Sequence, residues 1–479
     1  MTQITKIAHN TIIQVAGKAL TISLALIGFG LMTRYLGQTG FGFFSTVYAF
    51  LAIFGILVDL GLQMTTTKLI SDPAENESQI LSNALTIRLV ASVIFLSLAP
   101  LVALLFPYHP MIKLGIAFAT VGFVFASLTS TLTSYFQKHL IIYQVVVAES
   151  IAKIIFIAVV VAAIRADLGL TGIITAVIFD SVLTAVILFW FALQKVLLRP
   201  RFEFEVWKKI LGKTWPIALT ITLNLIYFKG DIFIMSLIKS QAEVGLYGAP
   251  YRVLEVLINV AYLFLGLVLP ILAAAVVIKK FDQLKKAIQA TFDFLIILTI
   301  PMIVGGFFLG EEIMILMAGP EFVISGEIIK ILLLATGLVF IAGLFGYVVV
   351  ALDKQKEMIK FYAINAVVSV AGYWYLISKY SYWGAAWMTV VTELFTLITA
   401  LYVMKKSINF IPNTKLLGKA IAASLVMAIP LFVFPYLNFT LVIFIGVTVY
   451  FSALYLFKGF DRRAIAEIVN YKKNEAPRA

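Results

Sequence analysis

Cysteine is absent from this chain of 479 residues, and histidine occurs only at His9, His109 and His139. Disulfide bonds and thiolate metal sites are therefore excluded, and the wide spacing of the histidines argues against a metal cluster. The full pattern of a phosphate-binding loop, Gly-x-x-x-x-Gly-Lys-Ser/Thr, does not occur either. We therefore expect no metal, redox or nucleotide cofactor.

Charged residues are scarce as well, at 13% of the chain, against about 25% in a typical soluble domain. Apolar residues take their place and reach 62%. A helix needs about 20 apolar residues to cross a bilayer, and stretches of that length follow one another almost end to end. We therefore predict an all-α polytopic membrane protein. The net charge of +13 lies on short connections rather than on one continuous face, so nucleic acid is not an expected partner.

About fourteen transmembrane helices are indicated by apolar runs that alternate with charge, proline or glycine. Their expected bounds are 9–35, 41–66, 80–106, 111–136, 141–164, 170–194, 213–238, 244–276, 287–309, 324–351, 359–378, 382–404, 416–435 and 439–457. The first six form an N-terminal lobe (1–195), and a linker (196–212) follows. The next six form a C-terminal lobe (213–405). An accessory pair of helices (406–457) then precedes a polar tail (458–479).

The basic residues of the connections predict the orientation of the chain. Termini and even-numbered connections carry 26 of the 37 lysines and arginines, odd-numbered connections carry 5, and the remaining six fall inside spans. Positive residues favour the cytoplasmic side of a membrane. We therefore place the protein in the cytoplasmic membrane, with the linker, the tail and both termini in the cytoplasm.

A weak internal repeat relates the two halves. Shifted by 203 residues, TGFGFFSTVYAFL (39–51) lies over AEVGLYGAPYRVL (242–254), which matches Gly42 with Gly245 and Tyr48 with Tyr251. Because each half has an even number of spans, both halves have the same orientation. We therefore predict a parallel repeat about an axis along the membrane normal.

Three cations inside predicted spans are candidate substrate-binding residues: Lys18, Lys229 and Arg252. A charge within the bilayer costs about 2.5 kcal/mol or more unless it faces protein or water. A water-filled cationic cavity would explain all three. The alternative is a set of interhelical salt bridges to Asp59, Asp231 or Asp293.

Other intramembrane charges are spaced to pair along one helix. The pairs are Glu149 with Lys153, Arg252 with Glu255, and Glu327 with Lys330. Spacings of three or four residues place two side chains on the same helix face, so each pair is predicted to form locally. Their role is open between a helix-packing clamp and a functional site.

Several motifs, in this order and spacing, resemble a known family over essentially the whole chain. They are RYLGQTGFGFFS and VDLGL in the first two spans, VGLYGAPYRVLE in the eighth, and ALDKQK and YSYWGAAWMTVVTE around spans ten to twelve. The family is the polysaccharide transporters, the Wzx-like oligosaccharide flippases of the multidrug/oligosaccharidyl-lipid/polysaccharide exporter superfamily. The resemblance implies two six-helix lobes around a central cavity, two accessory helices and alternating access. The implied substrate is an oligosaccharide on an undecaprenyl-pyrophosphate-type lipid.

An anionic pyrophosphate needs positive charge to cross a low-dielectric region, so the resemblance fits Arg252, Lys18 and Lys229 as its ligands. Arg252 has the strongest support, since it stands in the motif YGAPYRVLE. Coupling to H⁺ or Na⁺ stays open. The carboxylates suited either to coupling or to charge pairing are Asp231, Glu255 and Asp293.

The two alternatives to a flippase are a multidrug exporter and a membrane enzyme. A cation-coupled multidrug exporter of the same superfamily favours acids in its cavity, whereas the first span here carries Lys18 and no acid. An integral-membrane glycosyltransferase, polymerase or ligase usually displays catalytic groups on a sizeable polar loop. The longest external connection, LGEEIMILMAGPEF, offers glutamates without histidine. We therefore expect a transporter whose partners are lipid-linked oligosaccharide, membrane lipid and other proteins of polysaccharide biosynthesis.

Overall fold

The computed structural model describes residues 3–433 and 438–459, and every regular element in these ranges is a helix. The α-helices, numbered α1 to α14 in chain order, are Gln3–Asp59, Leu62–Ile70, Glu77–Ala91, Ser97–Ala103, Pro110–Lys138, Tyr143–Arg165, Gly169–Leu193, Phe204–Ile238, Gln241–Val277, Phe281–Ala318, Val323–Ala351, Gln355–Ile408, Lys415–Val433 and Phe439–Leu456. A π-helical segment, Ser92–Leu96, joins α3 to α4, and a 3₁₀ turn, Pro320–Phe322, precedes α11.

The length of these helices confirms the predicted membrane class. Eleven helical segments of the described residues are long and apolar enough to cross a membrane. Two of them, Gly17–Ile70 and Gln355–Ile408, have 54 residues each, which is enough for two crossings. α1 is kinked at Gly37 and α12 at Ser381, at the breaks that the sequence predicts. Counting each as two crossings and adding α8, which has 35 residues, gives the predicted fourteen.

The described residues fall in two compact units. The first comprises residues 3–250, Met314–Phe322 and Tyr362–Thr389. The second comprises Tyr251–Ile313, Val323–Phe361 and the described residues of 390–459. The lobe boundaries at 195 and 213 rest on span order and stay a prediction. Residues 460–479 of the predicted tail lie outside the described residues.

The first unit is built around α5, α6 and α7, which pack on one another and on α1. Leucine, aromatic and small side chains of α3, α5, α6 and α7 interlock in its core, and they include Leu81, Leu132, Phe136, Ala148 and Leu188. Alanine at a helix contact lets two backbones approach closely, while leucine and phenylalanine fill the space beside it. This packing holds the first predicted site residue, on α1, beside α6.

The predicted linker is ordered along α3. Ser78 donates its hydroxyl to the Leu197 carbonyl at 2.5 Å, and the Arg201 amide donates to Thr86 Oγ1 at 3.0 Å. Glu203 accepts a hydrogen bond from the Gln79 side chain, and this bond is the main cause that lowers the pKa of the Glu203 carboxyl. The polar face of α3 therefore binds the linker, and α8 begins at Phe204, before the predicted end of the linker at 212.

In the second unit, α13 and α14 pack as an antiparallel pair whose buried contacts include Met427, Leu431 and Tyr450. The Tyr450 hydroxyl also donates to the Ile297 carbonyl of α10 at 2.9 Å, which attaches the pair to that helix. Large apolar side chains on the opposite faces are exposed, as at Phe432 (74%). An exposed apolar helix face of this kind is suited to lipid.

The repeated glycines meet at one helix crossing within the first unit. A methyl group on Gly42 of α1 would lie 1.7 Å from the Gln241 carbonyl oxygen, and one on Gly245 of α9 would lie 2.0 Å from the Gln38 carbonyl oxygen. Gln38 and Gln241 are themselves 203 residues apart. Reciprocal contacts between equivalent residues are the pattern produced by a two-fold axis. The crossing therefore has the local symmetry expected from the repeat.

Candidate functional site

Lys18, predicted to bind substrate, lies in an interhelical ion pair. Its ammonium group on α1 is 2.5 Å from Glu149 Oε2 on α6, and the two side chains are 29% and 27% exposed. An interhelical salt bridge was the alternative to a cavity role, but Asp59, Asp231 and Asp293 were its predicted acids. The acid is Glu149 instead, because α1 packs directly on α6.

The predicted pair of Glu149 with Lys153 is wrong. Lys153 reaches across to Asp180 on α7, where its ammonium lies 2.6 Å from Oδ2 and over the Phe156 ring. Glu149 and Lys153 do share one face of α6, as their spacing requires. Each finds a partner of opposite charge on a different neighbouring helix, so α6 links α1 and α7 through two ion pairs.

Arg88 is a buried charge whose role the sequence did not reveal. Its side chain is 1% exposed and donates to Asp59 at 2.5 Å, to Ser130 and Thr131 at 2.9 Å each, and to the Val58 carbonyl at 3.2 Å. Asp59 therefore pairs with Arg88 within the first unit, and not with a candidate substrate ligand. The position of Arg88 inside a predicted span could have indicated this cluster, since a buried guanidinium needs a partner for each of its donors.

Asp231, a predicted coupling or pairing residue, is the best-enclosed carboxylate among the candidates. It is fully buried, and Tyr247 of α9 donates its hydroxyl to Oδ2 at 2.7 Å. Thr389 of α12 lies 3.2 Å from both the Tyr247 and the Tyr373 hydroxyls. Tyr373 donates in turn to the Tyr227 carbonyl. Helices α9 and α12 thus supply a chain of hydroxyl groups that ends on this carboxylate of α8 through Tyr247 and that can follow a change in its protonation.

Lys229 and Arg252 lie on neighbouring helices of the chain, α8 and α9. The Lys229 ammonium is 5.6 Å from the centre of the Phe228 ring. Arg252 forms the predicted ion pair with Glu255, with Nη1 3.0 Å from Oε2, and its side chain is 41% exposed while that of Glu255 is 18% exposed. The predicted pair of Glu327 with Lys330 also forms. Arg252 thus combines a local partner with a partly exposed side chain.

Asp293 lies on α10 in the second unit, apart from the other candidates in sequence. It accepts a hydrogen bond of 2.9 Å from Gln289, whose side chain also bonds with the backbone of Asn413. Asp293 and Gln289 form one wall of a polar cleft. Among the described residues, no three His, Cys, Asp or Glu side chains come together as metal ligands would.

Residues 7–276 match the family described as polysaccharide biosynthesis protein. The match covers more than half of the chain and includes five of the six predicted site residues, all except Asp293. Among curated proteins, none matches this sequence.

Several solved structures have a similar fold. A lipid II flippase, MurJ, in an inward closed conformation gives a TM-score of 0.76 at 16% identity, over 94% of this chain and 98% of that one. An inward-facing multidrug resistance MATE family transporter of the MOP superfamily gives 0.66 at 13% identity, over 81% and 93%. A MOP superfamily transporter from Pyrococcus furiosus gives 0.60 at 13% identity, over 84% and 94%.

At these sequence identities the similarity to solved structures shows the fold alone, whereas the match over residues 7–276 shows the family. The chain belongs to the polysaccharide biosynthesis protein family and is a multi-pass membrane protein whose fold is similar to that of solved MOP superfamily transporters.

Proposed function

We propose that this protein is a flippase that moves oligosaccharide on an undecaprenyl-pyrophosphate-type lipid across the cytoplasmic membrane. The observation that carries the proposal is Arg252, an arginine with a partly exposed side chain inside a membrane-spanning helix of a polysaccharide biosynthesis protein. A guanidinium binds phosphate through paired, charge-assisted hydrogen bonds. A pyrophosphate lipid is therefore a ligand whose charge matches this residue.

The proposed route is a central cavity that opens to each side of the membrane in turn. Arg252 binds the pyrophosphate, and Lys18 and Lys229 add positive charge along the route. Lys18 already has Glu149 as its counter-charge at 2.5 Å. Its participation therefore requires that the substrate phosphate compete with Glu149 or draw the pair towards it. The structural relative named a lipid II flippase supports a lipid as the substrate class.

The proposed energy source is a gradient of H⁺ or Na⁺, with Asp231 as the first candidate for coupling. Its carboxylate is fully buried and accepts a hydrogen bond from the Tyr247 hydroxyl, which Thr389 links to Tyr373. Such groups can donate to the ionised carboxylate and rearrange when it takes up a proton. Glu255 and Asp293 are the other candidates, although Glu255 already pairs with Arg252.

The multidrug exporter is the competing proposal, and Asp231 is the observation that favours it. A buried carboxylate that is bonded to a tyrosine is chemically suited to an organic cation, because an aromatic ring and a carboxylate both attract positive charge. Arg252 and Lys18 oppose that reading, since cations in the same route would repel such a substrate. The two proposals therefore predict substrates of opposite charge.

The purified protein in proteoliposomes can separate the proposals. A fluorescent undecaprenyl-pyrophosphate oligosaccharide and an organic cation such as ethidium would be offered in parallel, each with and without a pH or Na⁺ gradient. We expect the labelled lipid to become accessible to a membrane-impermeant quencher on the opposite leaflet only when the protein is present. Transport of ethidium without lipid movement would favour the exporter and contradict the flippase.

A further inference from the structure

A polar cleft of about 530 Å³ lies in the second unit, where the start of α13 and the end of α14 meet α10. Lys415 and Lys419 of α13 and Lys458, just beyond α14, line its walls and give it three positive charges. Gln289 and Asp293 of α10 lie opposite them. The cleft is thus formed mainly by the accessory pair of helices, outside the residues to which we assign substrate binding.

The positive charge of the cleft exceeds its negative charge. Asp293 is the one carboxylate in its walls, and it is bonded to Gln289. In the described part of the chain (3–433 and 438–459), Lys415, Lys419 and Lys458 form no salt bridge with a carboxylate. Lys415 and Lys419 stand four residues apart on one helix face, where like charges repel. An anion in the cleft would relieve this repulsion.

The backbone holds these lysines in place. Lys419 Nζ donates to the Lys458 carbonyl oxygen at 2.7 Å, which fixes the ammonium group at the end of α14. The Asn413 side chain accepts from the Lys415 amide at 2.9 Å, and the Asn413 amide donates to Gln289 at 2.7 Å. The charged wall is therefore joined both to α14 and to α10 before any ligand binds.

The surroundings of the cleft indicate a ligand that is both anionic and apolar. Leu456 and Phe457, which directly precede Lys458, are 74% and 41% exposed. They continue the exposed apolar face of α14 up to the edge of the cleft. An acyl chain can lie along this face while its phosphate reaches the lysines, whereas a soluble phosphate would use only the polar part.

We infer that this cleft binds the phosphate group of an anionic membrane lipid. Basic pockets between transmembrane helices on the cytoplasmic side bind acidic lipid head groups, and ammonium groups donate charge-assisted hydrogen bonds to phosphate. The charge bias of the connections places this end of α13 and α14 on the cytoplasmic side. The lipid holds the accessory pair against α10. This inference does not depend on which substrate the protein transports.

Lipid binding can be measured on the full-length protein in detergent by native mass spectrometry. Dioleoylphosphatidylglycerol and dioleoylphosphatidylcholine would be titrated separately, with inorganic phosphate as a competitor. The lipids share their acyl chains and differ in net charge. We expect tighter binding of phosphatidylglycerol to the wild type, and the triple variant K415Q/K419Q/K458Q should bind both lipids equally.

The matched control is K195Q/K208Q/K213Q, which removes three exposed lysines from the predicted cytoplasmic side and should keep the preference. The variant K415R/K419R/K458R retains the charge and should also keep it. If the triple glutamine change prevents folding, the single change K458Q at the exposed end of α14 should weaken phosphatidylglycerol binding about fivefold. Binding that K458Q leaves unchanged would overturn the inference.

Two further results would contradict the inference. Equal loss of phosphatidylglycerol in the cleft variant and in the control would show general attraction to a basic surface. Complete displacement of the lipid by millimolar inorganic phosphate would assign the cleft to a soluble anion. Neither result bears on flipping, so the test can fail while the proposed function stands.

Discussion

Gly42 and Gly245 occupy equivalent positions on two crossing helices, and each lies against the backbone of the other helix. Gly42 faces the carbonyl of Gln241, and Gly245 faces the carbonyl of Gln38. A side chain at either position would separate α1 from α9. The crossing therefore explains why the repeat keeps glycine at these two places.

Alanine at Gly42 or at Gly245 should destabilise the protein to a similar extent. A methyl group would come within 2.0 Å of a carbonyl oxygen in both cases, and the backbone cannot move away as a flexible side chain would. We expect a loss of about 3 kcal/mol or more for each change. Thermal unfolding in detergent, followed by tryptophan fluorescence, measures it.

Gly266 provides the matched control for this prediction, since it lies on α9 with open space where a methyl group would be. Gly266→Ala should be neutral or stabilising by up to about 1 kcal/mol, because alanine favours the helix. Equal stability of Gly42→Ala and wild type would contradict the close crossing. A loss at Gly42 without one at Gly245 would argue against local symmetry.

The ion pair between Lys18 and Glu149 should stabilise the contact of α1 with α6. Lys18→Met removes one charge, leaves Glu149 without its ammonium partner, and should lower stability by about 1 to 3 kcal/mol, less than for a fully enclosed pair. The charge-reversed double variant K18E/E149K should recover most of the loss. Thermal unfolding of the single and double variants gives the coupling between the two residues.

The control for that cycle is the double variant K18E/D180K. It reverses one charge in each of two separate ion pairs, Lys18 with Glu149 and Lys153 with Asp180, so the two changed residues do not contact each other. That double variant should be less stable than either single change. Full stability of Lys18→Met combined with loss of flipping would contradict the stabilising role of the ion pair and leave Lys18 with its proposed role in the substrate route alone.

The orientation of the chain can be read from cysteine labelling, because the natural chain contains no cysteine. Lys208→Cys, at an exposed position within the predicted linker, should resist a membrane-impermeant maleimide in intact cells. Glu312→Cys, exposed in the longest connection predicted to be external, should react. Lys208 is preferable to Lys209, which contacts Glu75. The reverse labelling pattern would place the termini outside the cytoplasm.

The sequence was sufficient to predict the fold class and most helix breaks, because the bilayer imposes a length and a composition on every span. The break predicted between 35 and 41 falls at Gly37, where a backbone φ of 63° favours glycine. The break predicted between 378 and 382 falls at Ser381. Ion pairs along one helix, such as Arg252 with Glu255, could be predicted as well, since the spacing alone places the two residues on one face.

Partners on different helices were not predictable. Lys18 pairs with Glu149, and Lys153 pairs with Asp180, because of which face α1, α6 and α7 each present to the neighbouring helix. When a helix is apolar on every side, the periodicity of a single sequence does not predict which face contacts which neighbour. Arg88 shows the same limit, since its donors reach side chains of two other helices, α1 and α5.

The central claim is that Arg252 binds the pyrophosphate of the substrate. Arg252→Ala should slow flipping by about tenfold to a hundredfold while protein abundance stays normal, which is the effect of losing a hydrogen bond to a charged group. Arg252→Lys should keep part of the activity, because an ammonium group still attracts phosphate but cannot bind it through two parallel bonds. The opposing account makes Arg252 a clamp for Glu255, 3.0 Å away.

The most direct test is the flipping rate of the double variant R252A/E255A in proteoliposomes, compared with R252A and with wild type at equal protein abundance. If Arg252 binds substrate, the double variant should be as inactive as R252A, since removal of Glu255 does not replace the guanidinium. If Arg252 only neutralises Glu255, removal of both charges should restore both abundance and transport. Transport at the wild-type rate in R252A/E255A would contradict the account.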